Sequence, residues 1–243
     1  IAWSHQLTPA DVFNAQCARG GETGCGPDHD IAAPPVLVSR PGEKDILVVG
    51  QKSGVVFGLD PAREGEPLWQ TRVGIGSSAG GVQWGMASDG RNVYAAVADA
   101  ARTAGDQGSL QIGNATFDPG KGGGLTALDV RTGERVWFAP GTPCDPPREG
   151  CSPAQPGAVT AIDGAVFSGA MDGHIRAFST ADGRLLWDFD TQRPFETVNG
   201  HPAQGGSLDG AGAVVADGMV YVNSGYPRIG GAPGNVLLAF GLD

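Results

Sequence analysis

Three stretches of the chain repeat one pattern: GVVFGLDPAREGEPLW, GLTALDVRTGERVW and GHIRAFSTADGRLLW. In each, four to six apolar residues lead into a short polar turn that ends on Gly. A Trp follows four residues later, giving the pairs Gly65 and Trp69, Gly133 and Trp137, and Gly183 and Trp187. Segments such as Val55–Leu59 are too short for a helix and rich in β-branched and aromatic side chains, so they read as strands. A turn that opens on Asp or Ser and closes on Gly has the chemistry of a four- or five-residue hairpin loop built on a type I turn, with Gly at positive φ. Each copy is therefore expected to be a hairpin closed by a Trp.

Two more strands are expected before each hairpin. They are residues 35–38 and 45–49 in the first unit, 83–87 and 93–97 in the second, and 158–162 and 165–168 in the third. A fourth set runs through 212–215, 219–222 and 235–240. Four short strands repeated at intervals of 50 to 68 residues are the mark of a β-propeller blade. The expected fold is all-β: one partial propeller over residues 1–243 with four-stranded antiparallel blades, about four blade equivalents. Its hairpin repeats lie near 51–74, 120–141 and 170–191, and its last strand at 235–240. Ile1-Ala2-Trp3 resembles a fourth strand without its blade, and neither a starting Met nor a signal peptide is present. A closed four-bladed ring is one expectation. The preferred one is the C-terminal half of an eight-bladed ring, with an N-terminal half elsewhere.

A net charge of −10 with no clustered Lys or Arg speaks against a nucleic-acid partner. No apolar run approaches the ~20 residues of a membrane span. Gly (41 residues) and Pro (18 residues) are raised without a collagen period, as a fold full of tight turns requires. The four cysteines form two local pairs, Cys17 with Cys25 and Cys144 with Cys151. Zinc sites prefer two to four residues between paired cysteines, so small-loop disulfides are the better reading, and they imply the periplasm or the extracellular space.

The repeat also sorts the connections. Turns joining first to second and third to fourth strands are short, whereas those at the opposite end are often long: 7–33, 98–122, 138–157, 189–211 and 224–235. Long loops are uncommon in compact domains unless they serve a function, so a binding site belongs on that face. Several motifs fail on context. Gly76-Ser77-Ser78-Ala79-Gly80 matches a nucleophile elbow, and the overlapping Gly74–Ala79 imitates a dinucleotide fingerprint, yet no helix pattern follows either. Asn114-Ala115-Thr116 is a glycosylation sequon, and the four His show no metal spacing. Three stretches remain. GPDHDI offers Asp28 and Asp30 as a general base, or as surface turn-formers. GQKSG holds Lys52 in a tight turn at the mouth of the ring. GGVQWGM places Trp84 as a stacking platform or as packing between blades.

The repeat is similar to that of the pyrroloquinoline quinone (PQQ) dependent dehydrogenases. The stretches GPDHDIAAPPVLV, VVGQKSGVVFGLDP, GGVQWGMASDGRNVY, CSPAQPGAVTAIDGAVFSGAMDGHIRAF, LLWDFDT and ETVNGHPAQGGSLDG most resemble its polyvinyl alcohol dehydrogenase branch. The resemblance implies an eight-bladed ring with PQQ and Ca²⁺ on its axis, an alcohol or polymeric alcohol as substrate, and an electron acceptor such as cytochrome c. An Asp removes the hydroxyl proton, which points to Asp28 or Asp30. Lys52 matches a Lys or Arg that contacts the quinone oxygens, and Gln83, beside Trp84, matches a position that is often Asn and touches the cofactor. The family's Ca²⁺ ligands, its Trp floor and its adjacent Cys-Cys pair have no match here, and a haem c would sit in a separate domain. The competing expectation is a periplasmic propeller scaffold without catalysis.

Overall fold

The computed structural model describes residues 1–21, 23–99, 118, 120–148, 150–227 and 230–242. The sequon at Asn114 lies outside them. Its strands form three four-stranded antiparallel sheets, one three-stranded sheet and one two-stranded ribbon, each in chain order. Blade 1 is β1 (Val36–Val38), β2 (Ile46–Gly50), β3 (Val55–Asp60) and β4 (Glu66–Arg72). Blade 2 is β5 (Ala87–Ser88), β6 (Asn92–Val97), β7 (Gly124–Asp129) and β8 (Arg135–Pro140). Blade 3 is β9 (Thr160–Ile162), β10 (Ala165–Gly169), β11 (His174–Ser179) and β12 (Leu185–Asp190). A two-stranded ribbon, β13 (Pro194–Phe195) and β14 (Ala203–Gln204), precedes blade 4, which is β15 (Val214–Ala216), β16 (Met219–Ser224) and β17 (Val236–Phe240). Successive blades meet through their first strands, β1 with β5, β5 with β9 and β9 with β15. The fold is a partial β-propeller.

The core lies between sheets. Val93, Ala95 and Val97 of β6 pack with Val48 and Val56 of blade 1, while Tyr94 and Ala96 of the same strand pack with Val166 and Phe178 of blade 3. With both faces covered, all six residues of β6 are buried and the apolar-polar alternation of a one-sided sheet is lost. The outer strands keep an alternation: β8 buries only Trp137 and Ala139.

Two of the three hairpin Trp residues reach beyond their own hairpins to the turn of the next blade, whereas Trp187 meets Phe240 of blade 4 edge-on at 5.0 Å. Trp69 donates its indole N–H to the Val130 carbonyl at 3.0 Å and covers Gly133, where a Cβ would lie 2.5 Å from the ring. Trp137 repeats this on Thr180 and Gly183, at 3.0 Å and 2.6 Å. Both glycines have φ of +72°, so Gly serves twice over, for its backbone and for its missing side chain. Trp3 lies on Gly65 in the same way. The fourth-strand resemblance of residues 1–3 thus shows in the ring contact but not in the backbone, since no strand is formed there.

Candidate functional site

The turn between β2 and β3 is built so that its side chains have little freedom. Gly54 N–H donates to Gln51 O at 3.0 Å, and Gln51 N–H to Val55 O at 3.1 Å. A Cβ on Gly54 would lie 2.5 Å from the Gly74 carbonyl. Lys52 is held at the centre of this turn, its N–H bonded to Asp30 O at 3.0 Å. Its ammonium stands 2.7 Å from Asp30 Oδ2 and 3.3 Å from Asp28 Oδ1. Three of the residues singled out in the sequence therefore meet. Their exposures differ: the side chains of Lys52 and Asp28 are 14% and 10% exposed, that of Asp30 63%. Burial pushes the Asp28 carboxyl above the usual range, Lys52 opposes this, and Asp30 adds to it. A cleft of about 380 Å³ opens beside Asp30, lined also by His5, Phe13, His29 and Ile31; Asp28 does not line it.

The disulfide-bonded loop Cys17–Cys25 backs the acidic segment. Asn14 caps a short helix, α1 (Ala15–Ala18), and Val12 N–H donates to Cys25 O at 3.0 Å. The Asp11 carboxylate then takes the backbone N–H of His29, between the two acids. The second bridge, Cys144–Cys151, also forms as expected, and no free cysteine remains among the described residues.

Residues 73–86 wrap the Lys52 turn. Ser77 N–H donates to Lys52 O at 3.2 Å and Val82 N–H to Gln51 O at 3.1 Å. The elbow-like GSSAG lies in this wrap, and its amides are filled from within the protein. Asp99 accepts the N–H groups of Ile75 (2.6 Å), Gly76 (3.0 Å) and Gly81 (2.9 Å). Gln83 and Trp84 follow, but not on a strand. The expected strand 83–87 shrinks to Ala87–Ser88, because the buried Gln83 side chain donates to Gly80 O at 2.7 Å and holds the segment as a loop. The half-buried Trp84 donates its indole N–H to Asp209 Oδ1 at 2.9 Å. Asp99 and Asp209 were not anticipated. Each is one Asp among many in Gly-rich loops, and only the folded loops show what it bonds.

One backbone hydrogen bond recurs at this level of every blade and aligns them. Lys52 N–H to Asp30 O in blade 1 corresponds to Ala98 to Gly81, Met171 to Ala154 and Gly225 to Ser207, at 2.9 to 3.2 Å. The position of Lys52 is thus held elsewhere by Ala98, Met171 and Gly225, and that of Asp30 by Gly81, Ala154 and Ser207. The charged cluster belongs to blade 1 and not to the repeat. Among the described residues no group of three His, Cys, Asp or Glu is placed to hold a metal ion, and no helix is long and apolar enough to cross a membrane.

No family model matches the chain. Over its whole length it is 42% identical to a polyvinylalcohol dehydrogenase of a Pseudomonas species and 39% identical to one of Sphingopyxis sp. strain 113P3. It spans 38% of the length of each. In structure it is similar to the quinohemoprotein alcohol dehydrogenase of Comamonas testosteroni, with a TM-score of 0.53, 20% identity, and coverage of 83% of this chain and 30% of that one.

Proposed function

We propose, from a similarity to polyvinylalcohol dehydrogenases that runs the whole length of the chain, that it carries the acid–lysine side of an alcohol-oxidising site that works with PQQ. One observation carries the reading: blade 1 alone places a lysine between two carboxylates where the repeat elsewhere has Ala98, Met171 and Gly225. The residues fit one side of such a cofactor. A quinone with carboxylate substituents calls for N–H donors and an aromatic surface. Lys52 supplies the first, and half-buried Trp84, next to Gln83, the second. When bound, PQQ with Ca²⁺ would supply the acceptor for the hydride of the alcohol; the ion's ligands, and any haem c, would belong to other parts of the protein.

The chain's own residues then divide the work. Asp30 lines the open cleft and accepts the hydroxyl proton of the alcohol. Lys52 holds that carboxylate in place and presents an N–H to the acceptor side. Asp28, buried behind Lys52, keeps the ammonium from swinging away. The substrate class is a secondary alcohol or polyvinyl alcohol, the electron acceptor a cytochrome c, and the two disulfides suit the periplasm or the extracellular space.

The test is dye-linked oxidation of a secondary alcohol by the complete protein loaded with PQQ and Ca²⁺. Asp30→Asn should lower kcat by about 10²–10⁴ with PQQ still bound, since an amide cannot take the proton. Asp28→Asn should cost far less, and Lys52→Ala should weaken both binding and turnover. Full activity in both Asp variants would remove the chemistry from this cluster, and a complete protein that binds no PQQ would favour the scaffold.

A further inference from the structure

The segment that carries the two acids is irregular and needs holding. Gly26 and Asp28 have φ of +82° and +61°, and for Asp28 that left-handed backbone persists only where neighbouring contacts fix it. Among the described residues, two hydrogen bonds tie the backbone of residues 26–30 to the rest of the protein. Lys52 N–H donates to Asp30 O, and His29 N–H donates to the Asp11 carboxylate.

The second bond is peculiar to blade 1. Aligned by the backbone bond that recurs in every blade, the counterparts of His29 are Gly80, Pro153 and Gly206. Gly80 N–H donates to Ser77 O at 3.1 Å, Pro153 has no N–H, and Gly206 N–H donates to Ser224 Oγ at 2.9 Å. A neutral acceptor or none serves in those blades, whereas blade 1 uses a carboxylate, the stronger acceptor. The other oxygen of Asp11 takes the Phe13 N–H at 3.3 Å. Both oxygens are thus given to backbone, and Asp11 is not itself placed as the base.

Asp11 is in turn anchored to the turn of Lys52. Its N–H donates to Thr8 O at 2.9 Å, and Thr8 Oγ accepts the side-chain N–H of Gln51 at 2.8 Å. Gln51 directly precedes Lys52, is 3% exposed, and is held from its other side by the Ser53 hydroxyl at 2.6 Å. The bonds close a circuit that runs from Lys52 to Asp30, from His29 to Asp11, and from Thr8 to Gln51. A Cβ on Gly26 would lie 2.7 Å from Ala10 O and Asp11 Cα, so the two segments of the circuit are in direct contact. Opening the circuit at Asp11 frees the acid segment to move against the ammonium.

We propose that Asp11 is a positioning residue for the acid–lysine pair, fixing the backbone that carries Asp30 against the turn that carries Lys52. That Asp30 takes the proton of the alcohol rests on the function proposed above. The positioning itself does not.

The experiment has two arms. The first follows hydrogen–deuterium exchange of the cofactor-free complete protein by mass spectrometry. In the wild type the peptide over residues 26–31 should keep one slowly exchanging amide, that of His29. Asp11→Ala should lose it, and Asp11→Asn, whose carbonyl still accepts, should keep most of its protection. The second arm is dye-linked oxidation of a secondary alcohol by the complete protein loaded with PQQ and Ca²⁺. Asp11→Ala should lower kcat on the order of 10-fold to 10²-fold with KM within about 2-fold, and Asp11→Asn should stay within about 3-fold of wild type. In the Asp30→Asn background, Asp11→Ala should cost no further activity. Thr8→Val, which removes only the link to Gln51, should move both readouts the same way by less, and it decides the matter where Asp11→Ala does not fold. Wild-type exchange and kcat in Asp11→Ala or in Thr8→Val, or an Asp11→Asn as impaired as Asp11→Ala, would overturn the inference. Full activity in Asp30→Asn would take the base out of the proposed function, and the exchange arm would still decide the positioning.

Discussion

Desolvation raises two aspartates, the buried Asp28 and the more exposed Asp89, yet their carboxyls end up shifted in opposite directions. Asp28 has one cation and a second acid for company, and burial leaves its carboxyl raised. Asp89 is also desolvated, yet the N–H groups of Asn92 and Arg91 and the Tyr94 hydroxyl, 2.6 Å away, hold it below the ordinary range, while burial and that carboxylate push the Tyr94 phenol up. The pH dependence follows. Between the raised value and the unfolded value near 3.8, native Asp28 binds more protons than unfolded Asp28, so its contribution to stability grows as pH falls through that window. Asp89 stabilises above its unfolded value, and that gain is lost as pH falls through the lowered one. Melting temperatures of Asp28→Asn and wild type, compared from pH 7 down to pH 4, should therefore show the wild type gaining on the variant as the solution is acidified. Parallel curves would contradict the burial argument. Asp99 makes a different prediction. At a φ of +38°, its carboxylate accepts the amides of Gly76 and of Ile75 and Gly81, which flank the GSSAG stretch, so Asp99→Ala should cost about 1.5–3 kcal/mol, with Asp99→Asn milder because Asn tolerates that backbone and retains one acceptor. Urea unfolding of the two variants checks it. Lys52 and the acids were legible because a charged residue in a tight Gly-bounded turn is conspicuous. The bonds of Asp99 and Asp209 span 18 to 125 residues of sequence, and no local pattern reports them.

At the scale of the element, the hairpins were legible and the first strands of the blades less so. A strand–turn–strand unit carries its pairing in adjacent residues, and β3–β4, β7–β8 and β11–β12 fall close to where the repeat puts them. The first strands pair on one edge only and emerge from Gly-rich loops. Thus β5 keeps two residues, β9 starts at Thr160, and the ribbon β13–β14 had no signal above the polar loop around it. Trp137→Ala should cost about 3–5 kcal/mol, since the ring is 8% exposed and stacks on Tyr94 at 5.8 Å. Gly183→Ala should be destabilising as well, because the added methyl meets Trp137 at 2.6 Å on a left-handed backbone; calorimetry of the two variants and their double should show strong non-additivity. The Cys144–Cys151 loop carries Arg148, which bonds Asp172 O at 2.8 Å and Asp190 at 3.2 Å. Opening it by Cys144→Ser with Cys151→Ser should cost roughly 2–3 kcal/mol. Peptide mapping under non-reducing conditions should recover both local pairs, and crosswise pairing would refute the assignment.

At the scale of the whole molecule, stability is a sum over neighbouring blades, as in other repeat folds. Hydrogen exchange on Trp137→Ala should therefore show lost protection in β6, β7, β10 and β11 and near-native protection in β2, while uniform loss would mean that the blades open as one unit. The indole contacts give this array a polarity. Blades 1 and 2 hold the ring, and the blade after each in sequence holds the glycine seat: Trp69 on Gly133, Trp137 on Gly183. On a ribosome the ring is always synthesised first. A newly completed blade finds the indole that covers its turn already in the structure before it, so this contact can form as translation proceeds. The same polarity bears on how such rings lengthen. Copying the stretch from Trp69 to Trp137 carries one ring and one seat together, so this pair remains matched in the longer chain.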